Sequence, residues 1–71
     1  MEELKIGGIY EHYKGKRYKV IVVAHHSETM EEMVVYQGLY SGGKVWVRPK
    51  ENFLSEVVVV GQKVPRFELV S

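Results

Sequence analysis

The stretch MVVYQGLYSGGKVWVRP, residues 33–49, decides the fold class of this chain. Two runs rich in valine and aromatic residues, 33–40 and 44–48, flank the tripeptide Ser-Gly-Gly at 41–43. β-Branched and aromatic residues favour strands, and glycine supplies the positive φ that a tight turn needs. The pattern therefore predicts a β-hairpin, and its turn signal is the strongest in the sequence.

Glycine and proline also separate the apolar runs on both sides of this hairpin. Short apolar runs are separated by glycine, and Pro49 ends the fourth strand because it has no N–H to donate to a ladder. The further predicted elements are strands at 6–14, 17–26, 57–60 and 63–70 and one helical turn at 50–54. The fold class that follows is all-β, with five to six antiparallel strands and one short helical turn.

Length and composition restrict the architecture and the class of protein. A chain of 71 residues predicts a single domain, 1–71, and so small a sheet removes its exposed edges best by bending and closing on itself. We therefore predict a small SH3-like barrel. An OB-like barrel is the alternative, but it usually needs a longer helix than 50–54 provides.

The absence of cysteine excludes disulfides and thiolate metal sites, and the start of the chain does not resemble a signal peptide. No apolar run reaches the roughly 20 residues that cross a bilayer. We expect a soluble, cytoplasmic protein without a membrane partner. Its formal net charge of +1 gives no overall attraction to nucleic acid, so any such binding must come from a local patch.

The alternation of side chains in the hairpin predicts which residues face outward. A two-residue loop at 42–43 would pair Gln37 with Arg48 and put Trp46 and Arg48 side by side on the outer surface, where the two groups can stack. The opposite face carries no charge and is the predicted core: Val34, Tyr36, Gly38, Tyr40, Val45 and Val47. The alternative is a β-bulge, which would shift the alternation by one residue and bury Trp46.

A basic patch is predicted on the first hairpin. A tight turn at Gly15-Lys16 would pair Lys14 with Arg17 and His12 with Lys19, so that all four lie on one outer face. Tyrosines lie close by in the sequence, and cations beside stacking rings suit single-stranded nucleic acid. A solvated hairpin face is the structural alternative.

The stretch AHHSETMEEMVVY, residues 24–36, contains the residue types of a catalytic or metal site. Ser27 follows His26 directly, but neighbouring strand residues point to opposite faces, so the two make a poor nucleophile and base. A metal site would need His26, His12 and a glutamate such as Glu28 or Glu31 to converge, and nothing in the spacing requires this. We expect no catalytic residue, metal or cofactor.

The favoured interpretation of this stretch is a polar turn. Ser27, Glu28 and Thr29 would hydrogen-bond their own backbone, and Glu31 and Glu32 would be solvated. His26 would lie half-buried on the apolar side of its strand, with Val22 and Ala24.

Several segments together resemble a known family. They are GGIYEHYKGKRYKV (7–20), HSETMEEMVVYQGLY (26–40), WVRP (46–49) and PRF (65–67), and they resemble the short bacterial proteins called domain of unknown function 1653, from residue 8 to 68. The resemblance implies an SH3-like β-barrel and no established activity. The chain departs from the family pattern at His25, where the pattern has arginine, and at Lys50 and Asn52, where it is more apolar.

The polar residues of that pattern exceed what a fold requires: His26, Glu28, Thr29, Arg48 and Arg66. Together with Trp46 they suggest a non-enzymatic binding module for a peptide or an anionic group, since an aromatic beside a fixed cation can hold a carboxylate or phosphate. The alternative is a single-stranded RNA- or DNA-binding module on His12, Lys14, Arg17 and Lys19. The strand edge at 57–60 makes a homodimer a further expectation.

Overall fold

The computed structural model describes residues 4–40 and 42–71. Within these residues the chain forms seven strands and one short helix. In chain order they are β1 Ile9–His12, β2 Arg17–His25, β3 Glu32–Gly38, β4 Val45–Pro49, α1 Lys50–Phe53, β5 Glu56–Val59, β6 Gln62–Pro65 and β7 Phe67–Leu69.

The strands form two antiparallel sheets. Five of them are arranged in the order β4-β3-β2-β1-β7, and β5 and β6 form a separate hairpin. The predicted last strand, 63–70, is divided at Arg66 into β6 and β7, which belong to different sheets. The all-β class is therefore confirmed, whereas closure into a barrel remains a prediction because neither sheet closes on itself. Among the described residues no helix is long and apolar enough to span a bilayer.

The predicted register of the central hairpin is wrong by three residues. Gln37 lies opposite Val45 rather than Arg48, because the chain leaves the ladder after Gly38 and returns at Lys44, where the Gly38 amide donates to the Lys44 carbonyl over 2.9 Å. The connection is thus five residues long and not two. A register shift by an odd number of residues exchanges the two faces of a strand.

The exchange reverses the prediction for β4. Trp46 and Arg48 share one face, as predicted, but it is the face on which Tyr36 and Val34 are buried. Val45 and Val47, which were predicted to fill the core, lie on the opposite face and are each 59% exposed.

The first hairpin slips in the same way. Glu11, not Lys14, lies opposite Arg17, because the loop has three residues and ends with Gly15 at a φ of 110°. The His12 amide donates to the Lys16 carbonyl over 2.7 Å and so closes this loop. Glycine in the left-handed region is the usual third residue of such a connection.

A β-bulge in β2 changes which residues face inward. The pairing with β3 shifts between Val20 and Val22, so Val20 and then Val23 lie on the buried side. Val22 and Ala24 are exposed instead. The predicted apolar side for His26 is therefore wrong, because one extra residue inverts the alternation after it.

The core consists mainly of aromatic rings on the inner face of the five-stranded sheet, defined here as the face that carries Val34 and Tyr36. Its buried members are Tyr10, Val20, Val34, Tyr36, Phe53 and Phe67. Helix α1 follows Pro49 directly and places Phe53 over this face, stacked on Phe67 at 4.0 Å between ring centroids. Burial of one such ring stabilises the fold by about 1.5–3 kcal/mol.

Candidate functional site

Arg48 extends inward from β4 over the aromatic core. Its Nε donates to the Tyr36 hydroxyl over 3.1 Å, and its Nη1 donates to Oδ1 of Asn52 over 2.6 Å. The guanidinium carbon lies 5.4 Å from the centroid of the Phe67 ring. Because one face of that ring is stacked on Phe53, the guanidinium must approach from the other face or the rim. Arg48 is thus held by two hydrogen bonds and an aromatic surface.

A chain of hydrogen bonds connects Arg48 with Arg66. Beyond Asn52, the Ser55 hydroxyl donates to the Asn52 carbonyl over 2.6 Å. The same hydroxyl accepts from Nε of Arg66 over 3.1 Å. Helix α1, through Asn52, and the turn after it, through Ser55, therefore fix the two arginines. We call Arg48, Arg66, Trp46 and His12 the arginine site.

The two guanidinium groups are bonded to neutral oxygen atoms. Within residues 4–40 and 42–71 the ion pairs are Arg17 with Glu11 and Lys50 with Glu32, and neither involves the arginine site. A guanidinium has five N–H donors, and in the described part of the chain Arg48 uses two and Arg66 one through its side chain. The site therefore keeps positive charge and unused donors.

His12 lies beside these arginines on the inner face. Its ring contacts Phe67 edge-on at 4.9 Å between centroids, and its Nδ1 accepts from the Lys14 amide over 3.1 Å. Burial and then the positive charges of Arg48, Lys14 and Arg66 lower the pKa of His12 below its ordinary value. Burial and the three neighbouring cations thus both disfavour the protonated ring.

Trp46 lies two residues before Arg48, on the same face and opposite Tyr36. Its side chain is 43% exposed, so the predicted exposure of the indole is confirmed although the predicted face is wrong. The cation–aromatic contact of Arg48 is with Phe67, not with the indole as predicted. The outer part of the indole remains accessible to a ligand.

Two tyrosines border the same face. The Tyr40 hydroxyl donates to the Tyr18 hydroxyl over 3.2 Å, and Tyr40 packs against the bare backbone of Gly38, where an added Cβ would lie 2.7 Å from the ring. Burial, followed by this hydrogen bond and the nearby tyrosines, raises the pKa of Tyr18 to about 12. The Tyr18 phenol therefore stays uncharged at neutral pH.

The loop between β2 and β3 is a separate feature. The Nδ1 atom of His26 accepts from the amides of Glu28 and Thr29 over 3.1 and 3.3 Å. The Thr29 hydroxyl accepts from the Glu31 amide over 3.2 Å, as the polar-turn interpretation predicted. His26 is exposed rather than half-buried, because its ring supports the turn instead of the core.

This loop does not meet Trp46. The indole lies opposite Tyr36, four residues along β3 from Glu32, which is about 13 Å at the usual rise of a strand. The predicted residues His26, Glu28 and Thr29 therefore do not share one surface with Trp46. Among the described residues no group of three histidine or acidic side chains could hold a metal ion.

The predicted basic patch is divided by the observed register. Arg17 and Lys19 share a face with Glu11, whose carboxylate pairs with Arg17 Nε at 3.1 Å. His12 lies on the opposite face, against Phe67. The prediction that His12, Lys14, Arg17 and Lys19 form one surface is therefore wrong.

Sequence reasoning missed Asn52, Ser55 and Phe67 and assigned His12 to the wrong surface. One signal was available for His12, since Tyr10 and His12 are two residues apart in a strand and must share a face. No sequence signal indicated Ser55. Asn52 was noticed only as a departure from a family pattern, and in this chain it holds Arg48.

Comparison with known proteins agrees with the resemblance noted in the sequence. Residues 8–69 match the family described as "Protein of unknown function (DUF1653)", whereas no curated protein matches the chain. A crystal structure of a DUF1653 protein from Bordetella bronchiseptica is similar over 99% of this chain and 91% of that chain, with 32% identity and a TM-score of 0.85. The chain therefore belongs to the DUF1653 family of proteins of unknown function.

Proposed function

We propose that this protein is a non-enzymatic binding module that takes an anionic group, a carboxylate or phosphate, at Arg48 and Arg66 beside Trp46. The observation that carries the proposal is the charge of the arginine site. Two arginines are fixed by neutral partners, and after burial they contribute with Lys14 to the lowered pKa of His12. An anion would supply the charge that the described residues do not.

The geometry of the arginine site also suits the oxygen atoms of an anionic ligand. Fixed guanidinium groups lose little side-chain entropy when they bind, and their paired N–H donors match carboxylate and phosphate oxygens. The accessible indole of Trp46 offers an apolar surface for the rest of the ligand, as aromatic anchors do at peptide interfaces. A peptide that presents a carboxylate or phosphate beside an apolar side chain fits this combination.

The test is a titration followed by the fluorescence of Trp46, the single tryptophan of the chain. Inorganic phosphate and a short peptide with a free carboxyl terminus are added at low salt to the parent and to Arg48→Lys. This variant keeps the positive charge and loses the planar guanidinium with its paired N–H donors. A charge-assisted hydrogen bond contributes about 1.5–3 kcal/mol, so we expect binding to weaken roughly 10- to 100-fold. The matched control is Arg17→Lys, which changes an exposed arginine outside the site and should bind like the parent.

Circular dichroism in the aromatic region checks that each variant is folded. The proposal is contradicted if neither probe causes a saturable change in the folded parent. It is equally contradicted if Arg17→Lys weakens binding as much as Arg48→Lys does.

Single-stranded nucleic acid remains the second candidate, because the exposed Tyr13 ring has Lys14 Nζ 5.9 Å from its centroid. Nucleic-acid binding falls steeply with salt. A short oligonucleotide that binds with such a salt dependence, and whose affinity falls in Tyr13→Ala but not in Arg48→Lys, would favour this candidate.

A further inference from the structure

One half of the outer face of the five-stranded sheet is uncharged. The pairing sets Val22, Val35 and Val47 in one row across β2, β3 and β4. Ala24, Met33 and Pro49 form the next row, and Val45 lies beside the first row on β4. The charged residues of this face are on the other half: Glu11, Arg17, Lys19 and Glu68.

This apolar half-face is open in the described structure. Val22 is 46% exposed, and Val45 and Val47 are 59% exposed. Helix α1 packs on the inner face instead, since Phe53 contacts Tyr36 and Phe67. An antiparallel sheet with one face in water normally alternates apolar and polar residues, and contiguous exposed apolar patches mark interaction sites. The half-face therefore has the character of an interface.

The accessible surface of the chain is larger than that of a typical monomer of its mass. The folded chain exposes 5132 Å², whereas size scaling predicts about 4,500 Å² for a monomer of 8.2 kDa. The excess is roughly 600 Å² per chain. A two-fold contact that covered an area of this size on each copy would bury roughly 1,200 Å², the lower bound of specific interfaces.

We propose that a second copy of this chain covers the apolar half-face, so that two five-stranded sheets pack face to face as in a β-sandwich. The patch contains no charge, so two copies can meet without burying an unpaired ion. A two-fold contact places the same patch on both sides, and flat valine rows about 10 Å apart interdigitate in this way. The net charge of +1 opposes association only weakly.

The proposal differs from the strand-edge dimer that the sequence suggested at 57–60, and one experiment separates the two. Sedimentation equilibrium at about 100 μM should give twice the chain mass of 8.2 kDa for the parent and the single-chain mass for Val47→Glu. The matched control is Val58→Glu, at a residue that is 69% exposed on β5, and it should remain dimeric. Far-ultraviolet circular dichroism reports whether each variant is folded.

A second measurement needs no variant. Dilution of the parent should shift the amide resonances of Val22, Val35 and Val47 and leave those of β5 unchanged. A single-chain mass for the parent throughout would overturn the proposal. So would a dimer that Val58→Glu dissociates and Val47→Glu leaves intact, because the interface would then lie on β5.

Discussion

The two faces of the five-stranded sheet differ in composition and in burial. The inner face combines buried aromatic rings with an arginine that donates hydrogen bonds to a phenol and an amide. The outer face has exposed valines on one half and charged side chains on the other. The comparison shows that the buried core and the proposed anion site share the inner face. The apolar outer half has no partner within the described residues.

The largest expected effect is on the inner face. Phe53 is fully buried and stacks on Phe67, so Phe53→Ala should lower the free energy of unfolding by about 3–5 kcal/mol. Val47→Ala on the outer face should change that of the dilute monomer by about 0.5 kcal/mol or less. Urea denaturation measures both. Equal losses would contradict the assignment of the two faces.

Gly38→Ala tests the packing of Tyr40 on the backbone of β3. The new Cβ would lie 2.7 Å from the Tyr40 ring, and overpacking of this kind costs about 1–3 kcal/mol. In the Tyr40→Leu background the same substitution should cost less, because the planar ring is gone. A double-mutant cycle in urea measures the coupling, and additive effects would show that the ring does not rest on Gly38.

The pH dependence of stability tests the lowered pKa of His12. Burial and the neighbouring positive charges lower the pKa of His12 in the folded chain, so below about pH 6.5, the ordinary value for histidine, the unfolded chain binds more protons. The stability that the folded chain has with a neutral His12 ring is complete above that pH. It is lost as the pH falls toward the pKa of His12 in the folded chain.

His12→Asn keeps an acceptor for the Lys14 amide and removes the titrating imidazole. The variant should therefore lose less stability than the parent between pH 7.5 and pH 5, as followed by urea denaturation at each pH. An identical loss in both proteins would show that the pKa of His12 is not lowered in the folded chain.

The smallest effect is expected on the charged half of the outer face. Arg17 pairs with Glu11 at 3.1 Å, and their side chains are 58% and 38% exposed. Such pairs contribute about 0–1 kcal/mol, so Arg17→Ala should shift the urea midpoint only slightly. A loss as large as that of Gly38→Ala would mean that the first hairpin depends on this pair.

The sequence predicted the strands and turns far better than it predicted the faces. The positions of glycine and proline indicated both hairpins, but Gly15 suits either the first position of a two-residue loop or the last position of a three-residue loop. The same ambiguity affects the double glycine at 42–43. Since each choice moves the register by an odd number, a small uncertainty in loop length inverted whole faces.

The candidate site was predictable only in part, for the same reason. Trp46 and Arg48 were assigned to one face because a spacing of two residues fixes that in any register. The contacts of Arg48 with Asn52 and Phe67 depend on how α1 and β7 cross the sheet, and no local pattern in the sequence determines this. The bulge between Val20 and Val22 likewise had no recognisable residue signature.

The most direct test of the central claim, that Arg48 and Arg66 present unneutralised charge to an anion, is an NMR titration of the parent with inorganic phosphate. Resonances of the arginine Nε–Hε groups, the Trp46 indole N–H and the His12 ring are followed at low salt. We predict saturable shifts at Arg48, Arg66, Trp46 and His12, with Arg17 unchanged. Shifts at Arg17 and the first-hairpin lysines without a response at Arg48 and Arg66 would contradict the account.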